Sequence, residues 1–156
     1  MVMKRILLWI WKWMPGWMQQ IAAALIRPRY QVAVAVLILN DSGQLLLCEH
    51  TYRRANPWGL PGGDLKFAED PRQAIRRELL EETGLRMGAV RLLLVENSER
   101  MRHVCLTYLG TGVEGSFVPN EEVSSIRYLD PDHLPPFLPE HGRTIQRALA
   151  ELDCID

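Results

Sequence analysis

The sequence predicts an α+β fold with helices layered against mixed strands. Short β-branched apolar runs bounded by Asn, Gly and Pro predict strands, a central stretch with start and stop signals predicts a helix, and no internal repeat is present. The 156 residues, 47% hydrophobic and 24% charged with a net charge of -1, suit a single domain that builds its core without staples. Disorder, collagen-like repeats and a multi-domain enzyme are excluded.

The first element is residues 1–26, MVMKRILLWIWKWMPGWMQQIAAALI, which holds four of the five tryptophans. Arg5, Lys12, Gly16 and Gln19 fall near one line of a helical wheel, leaving a wide apolar surface. Pro15-Gly16 breaks the segment into two short helices. Lys12 cuts the apolar run too early for a signal peptide, and Lys12, Pro15, Gly16, Gln19 and Gln20 interrupt any membrane span. Two readings stand: an anchor on a membrane surface with Trp at the headgroup level, or a helix packed on this domain or on a second copy as a homodimer.

Charge separates this segment from the rest. Residues 1–40 carry Lys4, Arg5, Lys12, Arg27 and Arg29 with no acid, a balance of +5, while the remaining 13 basic residues face all 19 acidic ones, a balance of -6. The expected organisation is a Trp-rich helical segment at 1–29 and a catalytic domain at 30–156. An acidic body without a dense basic run argues against a nucleic-acid partner.

Within the body, YQVAVAVLIL at 30–39, the turn Asn40-Asp41-Ser42-Gly43 and QLLLCEH predict a β-hairpin. WGLPGG at 58–63 supplies backbone freedom and punctuation. A helix begins after Asp70, with Pro71 at its first position and Gln73 completing a capping box, and ends at Gly84. Strands follow near 89–96, 101–113 and 124–129. Pro131, Pro135, Pro136 and Pro139 then break the chain before a last helix around 140–152.

Cys48, Cys105 and Cys154 are odd in number and widely spaced, which predicts a reducing compartment, the cytoplasm, with any membrane association at its inner face. The histidines show no zinc spacing, and neither a P-loop nor a dinucleotide fingerprint is present.

The central helix breaks a local rule. Glu78, Glu81 and Glu82 crowd one face in the last two turns, the negative end of the helix dipole, where like charges cost a few tenths of a kcal/mol per pair. A solvated acidic face paired with Arg76 and Arg77 is one explanation. A divalent cation is the other, since hard oxygen ligands on one face suit Mg²⁺ or Mn²⁺ bridging to substrate phosphates.

The stretch GDLKFAEDPRQAIRRELLEETGL from Gly63 to Leu85 decides between them. It matches G-x5-E-x7-R-E-U-x-E-E-x-G-U, with U a bulky aliphatic, at every fixed position: Gly63, Glu69, Arg77, Glu78, Leu79, Glu81, Glu82, Gly84 and Leu85. This is the Nudix box, and the chain resembles the Nudix hydrolase family over roughly residues 30–152. The resemblance implies an α/β/α sandwich around a mixed sheet. It implies that Glu78 and Glu82 are the principal metal ligands, with Glu81 and the Gly62 or Gly63 carbonyl assisting. Arg77 would hold the glutamates in register, and Glu69 and Gly84 would support the loop-helix geometry. The general base is left open between Glu78 and the loop pair Glu121 and Glu122. Arg53, Arg54 and His50 are placed to reach phosphate or ribose oxygens, and Tyr52 to stack on a base, while Trp58 reads as core.

The implied activity is Mg²⁺- or Mn²⁺-dependent hydrolysis of a nucleoside diphosphate linked to another moiety, by in-line attack of water and abolished by EDTA. Two other functions stand beside it: a membrane-associated hydrolase of a CDP-alcohol or isoprenoid diphosphate, and a non-catalytic nucleotide-binding module. The proline and tyrosine that mark the ADP-ribose and diadenosine polyphosphate subgroups are absent around Met101, Arg102 and His103, and no coenzyme A or NADH signature is evident.

Overall fold

The computed structural model describes residues 2–26, 29–98, 102–137 and 139–153. Met101, the expected start of one strand, and Cys154 lie outside them. The chain divides into two compact units, Met1–Tyr30 and Gln31–Asp156.

The first unit is two helices, α1 (Val2–Trp13) and α2 (Gly16–Ile26). The break falls at Pro15, which has no N–H to continue the ladder of α1. Gln19 covers the end of α1, its side-chain amide donating to the carbonyls of Trp11 at 2.7 Å and Met14 at 3.1 Å. Among the described residues no helix is long and apolar enough to cross a membrane.

The second unit is α+β, as expected. Its four-stranded mixed sheet runs β4 (Gly62–Asp64), β1 (Gln31–Ile38), β6 (His103–Glu114), β5 (Arg86–Ser98). β1 and β6 are parallel, paired from Gln31 with His103 to Ile38 with Gly110. A three-stranded antiparallel sheet runs β3 (Trp58–Gly59), β2 (Leu45–His50), β7 (Val123–Leu129).

This topology corrects the expected hairpin. β1 and β2 lie in different sheets and share one isolated bridge, Leu39 with Leu45. The turn forms as expected, with the Asn40 side chain accepting from the amides of Ser42 at 3.0 Å and Gln44 at 2.9 Å. Both strands are apolar on both faces, however, and each becomes a central strand with other partners on its two edges.

Alternation along β1 sets the layers. Val34, Val36 and Ile38 pack with Ala74, Ile75 and Leu79 of α3 (Pro71–Thr83), while Leu37, together with Leu45 and Leu47 of β2, packs with Ile145 and Ala148 of α4 (Pro139–Asp153). One helix therefore covers each side of the strands. The Asp70 cap and the Gly84 stop of α3 are as expected, though among the described residues the Gln73 side chain makes no bond back to Asp70: the Asp70 carboxylate accepts from the amides of Arg72 and Gln73, and Gly84 closes the helix with φ 75° in the left-handed region, donating its amide to Leu80. The second-to-last turn of α3 is thereby held against β4.

Candidate active site

The Nudix-box residues converge where α3 meets β4. Arg77 lies at the centre of four acceptors: Glu69 through Nε at 2.7 Å and Nη2 at 2.9 Å, Glu78 at 2.7 Å, Glu81 at 2.9 Å and the Asp64 carbonyl at 3.4 Å. The fork to Glu69 is bidentate, which fixes the plane of the guanidinium. It holds the Glu69 carboxyl down at about 2 and raises the Arg77 value further above its already high range.

The three glutamates of one helical face separate in depth. Glu78 lies against the backbone of β4, so closely that a methyl group on Gly63 would stand 2.6–2.7 Å from its carboxylate. Glu82 is 2% exposed, and its Oε2 accepts the Gly62 amide at 2.9 Å. Gly62 itself leaves no room for a side chain, since a Cβ there would lie 2.2 Å from the Val34 carbonyl oxygen. Glu81 is exposed and lies between Arg77 and Lys66, the latter 3.8 Å away.

Burial pushes the Glu82 carboxyl up to about 8, opposed by the Gly62 amide and Arg53 and reinforced by the charges of Glu78 and Glu122. A buried carboxylate among like charges is destabilising as an anion unless a cation joins it. The donor set fits a divalent ion in that sense: two hard carboxylates of adjacent helical turns, one of them buried, beside a glycine pair. Among the described residues no three His, Cys, Asp or Glu side chains stand already converged as a ligand set, because Arg77 and the Gly62 amide hold the carboxylates.

A second element borders this face. Asn120 donates its side-chain amide to the carbonyls of Glu81 at 2.7 Å and Glu82 at 3.0 Å, two acceptors left over at the C-terminus of α3. Its oxygen accepts from the amides of Glu122 at 2.9 Å and Val123 at 2.8 Å. The Glu122 carbonyl receives the Thr51 amide at 2.9 Å. Glu121 and Glu122 are thus exposed side chains on a backbone bound to the end of α3. In sequence Asn120 belongs to the Asn120-Glu121-Glu122-Val123 stretch that resembles the family layout, but nothing local there points to its bonds with the end of α3.

His50 departs from expectation. It does not reach toward ligand; it is 1% exposed, with Nδ1 3.7 Å from Glu82 Oε1 and 3.3 Å from the Tyr52 hydroxyl, and its Nε2 has no hydrogen-bond partner. Burial, with the positive charge of Arg53 and His141 near it, lowers it to about 4, so the ring is neutral at neutral pH and its contact with Glu82 is no ion pair. The β-bulge at Glu49/His50, where β2 changes register against β7, accompanies this inward turn.

A cleft of about 690 Å³ opens on the α4 side of β4, with Gly62 and Gly63 as the wall it shares with the carboxylates. Its space comes from β1, where Ala33 and Ala35 precede the filling Leu37 on one face. Tyr52 and Arg53 line it, the guanidinium 5.5 Å from the Tyr52 ring centre and Nη1 3.4 Å from His141 Nδ1. Arg54 is exposed and does not line it, because the chain turns outward one residue past Arg53. Trp58 is half-buried in the α4-side core with Arg127 5.0 Å over its ring.

The far wall was not foreseen. His141, Arg143, Thr144 and Arg147 of α4 line the cleft together with Glu96 and Asn97 of β5 and His103 of β6. Glu96 clasps α4 by accepting from the Thr144 hydroxyl and from Arg147 at 2.8 Å. In sequence these are scattered polar residues of an amphipathic helix and a strand end, with no shared spacing.

Comparisons with known proteins agree with this architecture. The chain is 31% identical over 120 residues to a MutT-like protein of Streptomyces ambofaciens, covering 76% of this chain and 75% of the relative. It is 29% identical over 119 residues to a putative 8-oxo-dGTP diphosphatase of Bacillus subtilis, covering 74% and 78%. An RNA pyrophosphohydrolase of Hydrogenovibrio crunogenus is 39% identical over 64 residues, covering 41% of this chain and 38% of the relative. In three dimensions the MutT NUDIX hydrolase of Burkholderia pseudomallei superposes with a TM-score of 0.67 at 24% identity, covering 76% of this chain and 98% of that one. With the family profile described as NUDIX domain matching residues 29–149, and the box side chains gathered at one end of α3, the chain belongs to the Nudix hydrolase family.

Proposed function

We propose that the protein is a Mg²⁺- or Mn²⁺-dependent pyrophosphohydrolase of a nucleoside diphosphate carrying a further group, with Glu78 and Glu82 as metal ligands and Glu81 and the Gly63 carbonyl assisting. The observation that carries this is Glu82, a buried carboxylate pushed up to about 8 that only a cation can hold as an anion without cost. When bound, the cation neutralises the phosphoryl oxygens and the leaving phosphate.

The chain's own residues do the rest. Arg77 keeps the Glu78 carboxylate against Gly63, and Glu69 fixes Arg77. Gly62 holds one oxygen of Glu82, and the other lies beside the His50 ring. Water attacks one phosphorus in line, the anhydride P–O bond breaks, and the proton of the water passes to a carboxylate oxygen of Glu122. Glu122 is favoured over Glu121 because its charge is felt at Glu82, and over Glu78 because Arg77 already occupies Glu78 Oε1. The products are a nucleoside monophosphate and the other phosphorylated group. Arg53 and Tyr52 hold phosphate and base at the cleft mouth, with Arg143 and Arg147 on the opposite wall.

The substrate class is a free nucleotide rather than an RNA end. The relative named as a putative 8-oxo-dGTP diphosphatase aligns over 119 residues, whereas the RNA pyrophosphohydrolase matches over 64, and the body carries a charge of -6. The free thiols of Cys48 and Cys105 favour the cytoplasm. The Trp-rich helices favour a second reading in which the diphosphate bears a lipid-precursor group such as a CDP-alcohol or an isoprenoid.

The test is a panel of nucleoside triphosphates including 8-oxo-dGTP, nucleotide sugars, CDP-alcohols, isoprenoid diphosphates and 5′-triphosphorylated RNA. Each is incubated with Mg²⁺ or Mn²⁺ and scored for phosphate released by a coupled phosphatase. Turnover of a free nucleotide that EDTA abolishes is expected. No turnover of any compound, with nucleotide binding retained, overturns the enzyme in favour of a binding module.

A further inference from the structure

The two-helix unit has no core of its own. None of its described side chains is buried, and its large apolar residues stand exposed, Trp9 at 65%, Trp13 at 71% and Trp17 at 64% among them. Apolar surface of this extent, continuous over two helices, marks an interaction site.

The arrangement around α1 says which. At about 100° per residue, Arg5 and Lys12 lie within about 20° of each other, and Trp9 and Trp13 follow at about 40° and 80° from Arg5. Met3 and Ile10 lie on the opposite side, about 140–160° from Arg5. The two indoles meet at 6.5 Å between centroids, tilted by 53°. Trp9 and Trp13 therefore border one side of the basic stripe, while Trp11, about 120° from Arg5, lies toward the apolar side with Met3 and Ile10; basic residues flanked by rings beside a wide apolar face suit a helix lying at a bilayer surface. Length agrees: helices of 12 and 11 residues extend about 18 and 17 Å, too short for a hydrocarbon core of about 30 Å but long enough to lie in its interface. Charge fixes the lipid. The first 40 residues carry five basic residues and no acid, which complements an anionic leaflet and repels nothing in it.

We infer that α1 and α2 dock the protein onto an anionic lipid bilayer, lying in its surface without crossing it. The docking does not depend on the hydrolase reading, since it uses no residue of the Nudix domain. The Gln19 bonds to Trp11 and Met14 tie the two helices together, and α2 carries its own exposed apolar face of Trp17, Ile21 and Leu25 at helical spacing.

The experiment is co-sedimentation of the full chain with phosphatidylcholine vesicles, with and without about 30% phosphatidylglycerol, together with Trp emission. Binding at least about tenfold stronger to the anionic vesicles is expected, with a blue shift, and both weaken at about 0.5 M salt. The double variant Arg5→Glu/Lys12→Glu is expected to lose the preference for anionic lipid, and Trp9→Ala/Trp13→Ala to lose binding to both vesicles, each with an unchanged circular-dichroism melting curve. Equal recovery with and without phosphatidylglycerol, binding by the charge-reversed variant as by wild type, or a lipid-free dimer in light scattering that leaves no protein on vesicles would each overturn the inference.

Discussion

α3 and α4 cover opposite sides of the same strands, yet they carry their charge differently. On α3, Arg77, Glu78 and Glu81 form one continuous network closed by Glu69 just ahead of the helix, and Glu82 one turn after Glu78 is held by the Gly62 amide of the adjoining strand. On α4, Arg143 and Arg147 gain a role only through residues far away in sequence, Glu96 on β5 and the glycine pair on β4. Metal chemistry needs several oxygens within a few ångströms, and one helical face supplies that locally. Binding a nucleotide needs a wall on each side of a cleft, which no single segment can provide. On the proposed function, α3 serves turnover and α4 affinity.

The largest effect expected follows from α3. Glu82→Gln and Glu78→Gln each lower kcat on the order of 10³-fold with KM little changed, measured by steady-state kinetics in saturating Mg²⁺. The same Glu82→Gln stabilises the metal-free protein at alkaline pH. A carboxyl raised to about 8 supports the fold while protonated and loses that support as pH rises through 8, a loss that Gln does not suffer. Melting curves at pH 7 and 9 with EDTA show it. A Glu82→Gln variant no more stable than wild type at pH 9 would refute the account of Glu82.

Arg77→Ala releases Glu69, Glu78 and Glu81 together and costs on the order of 10–100-fold in metal affinity, read by Mn²⁺ titration. On the other wall, Arg143→Ala and Arg147→Ala raise KM about tenfold or less with kcat within about twofold. Equal falls in kcat from both helices would break the comparison. Asn120→Ala removes two bonds to the end of α3 and lowers stability by about 1–2 kcal/mol in denaturant melts.

The smallest effect concerns Glu69. Its carboxyl is held at about 2 by Arg77, so its contribution to stability is complete above the ordinary value of 4.5 and is lost as pH falls from there toward 2. The stability gap between wild type and Glu69→Gln is therefore widest above about pH 5 and closes in acid. A constant gap across that range would separate Glu69 from Arg77.

Local chemistry determined what was legible in the sequence. The bounds of α3 followed from Asp70, Pro71 and Gly84, because caps act within a few residues of the chain. The break of the N-terminal segment followed from Pro15, and the later strands from their apolar runs. The spacing of the three glutamates was equally plain, and so was the family, since the box is a local pattern of 23 residues.

Tertiary structure decided the rest. That β1 and β2 belong to separate sheets depended on which edges β6 and β7 offer, and pairing energy is nearly indifferent to sequence distance once the loop is closed. That Glu82 is buried while Glu81 is not depended on where β4 crosses α3. That His50 turns inward beside Glu82 and Arg54 turns away from the cleft depended on the bulge and loop between β2 and β3. The cleft wall on α4 had no local signature, because its residues share a surface and not a period. Spacing along one helix is carried by the covalent chain, whereas depth, pairing and enclosure arise only when distant segments compete for the same core.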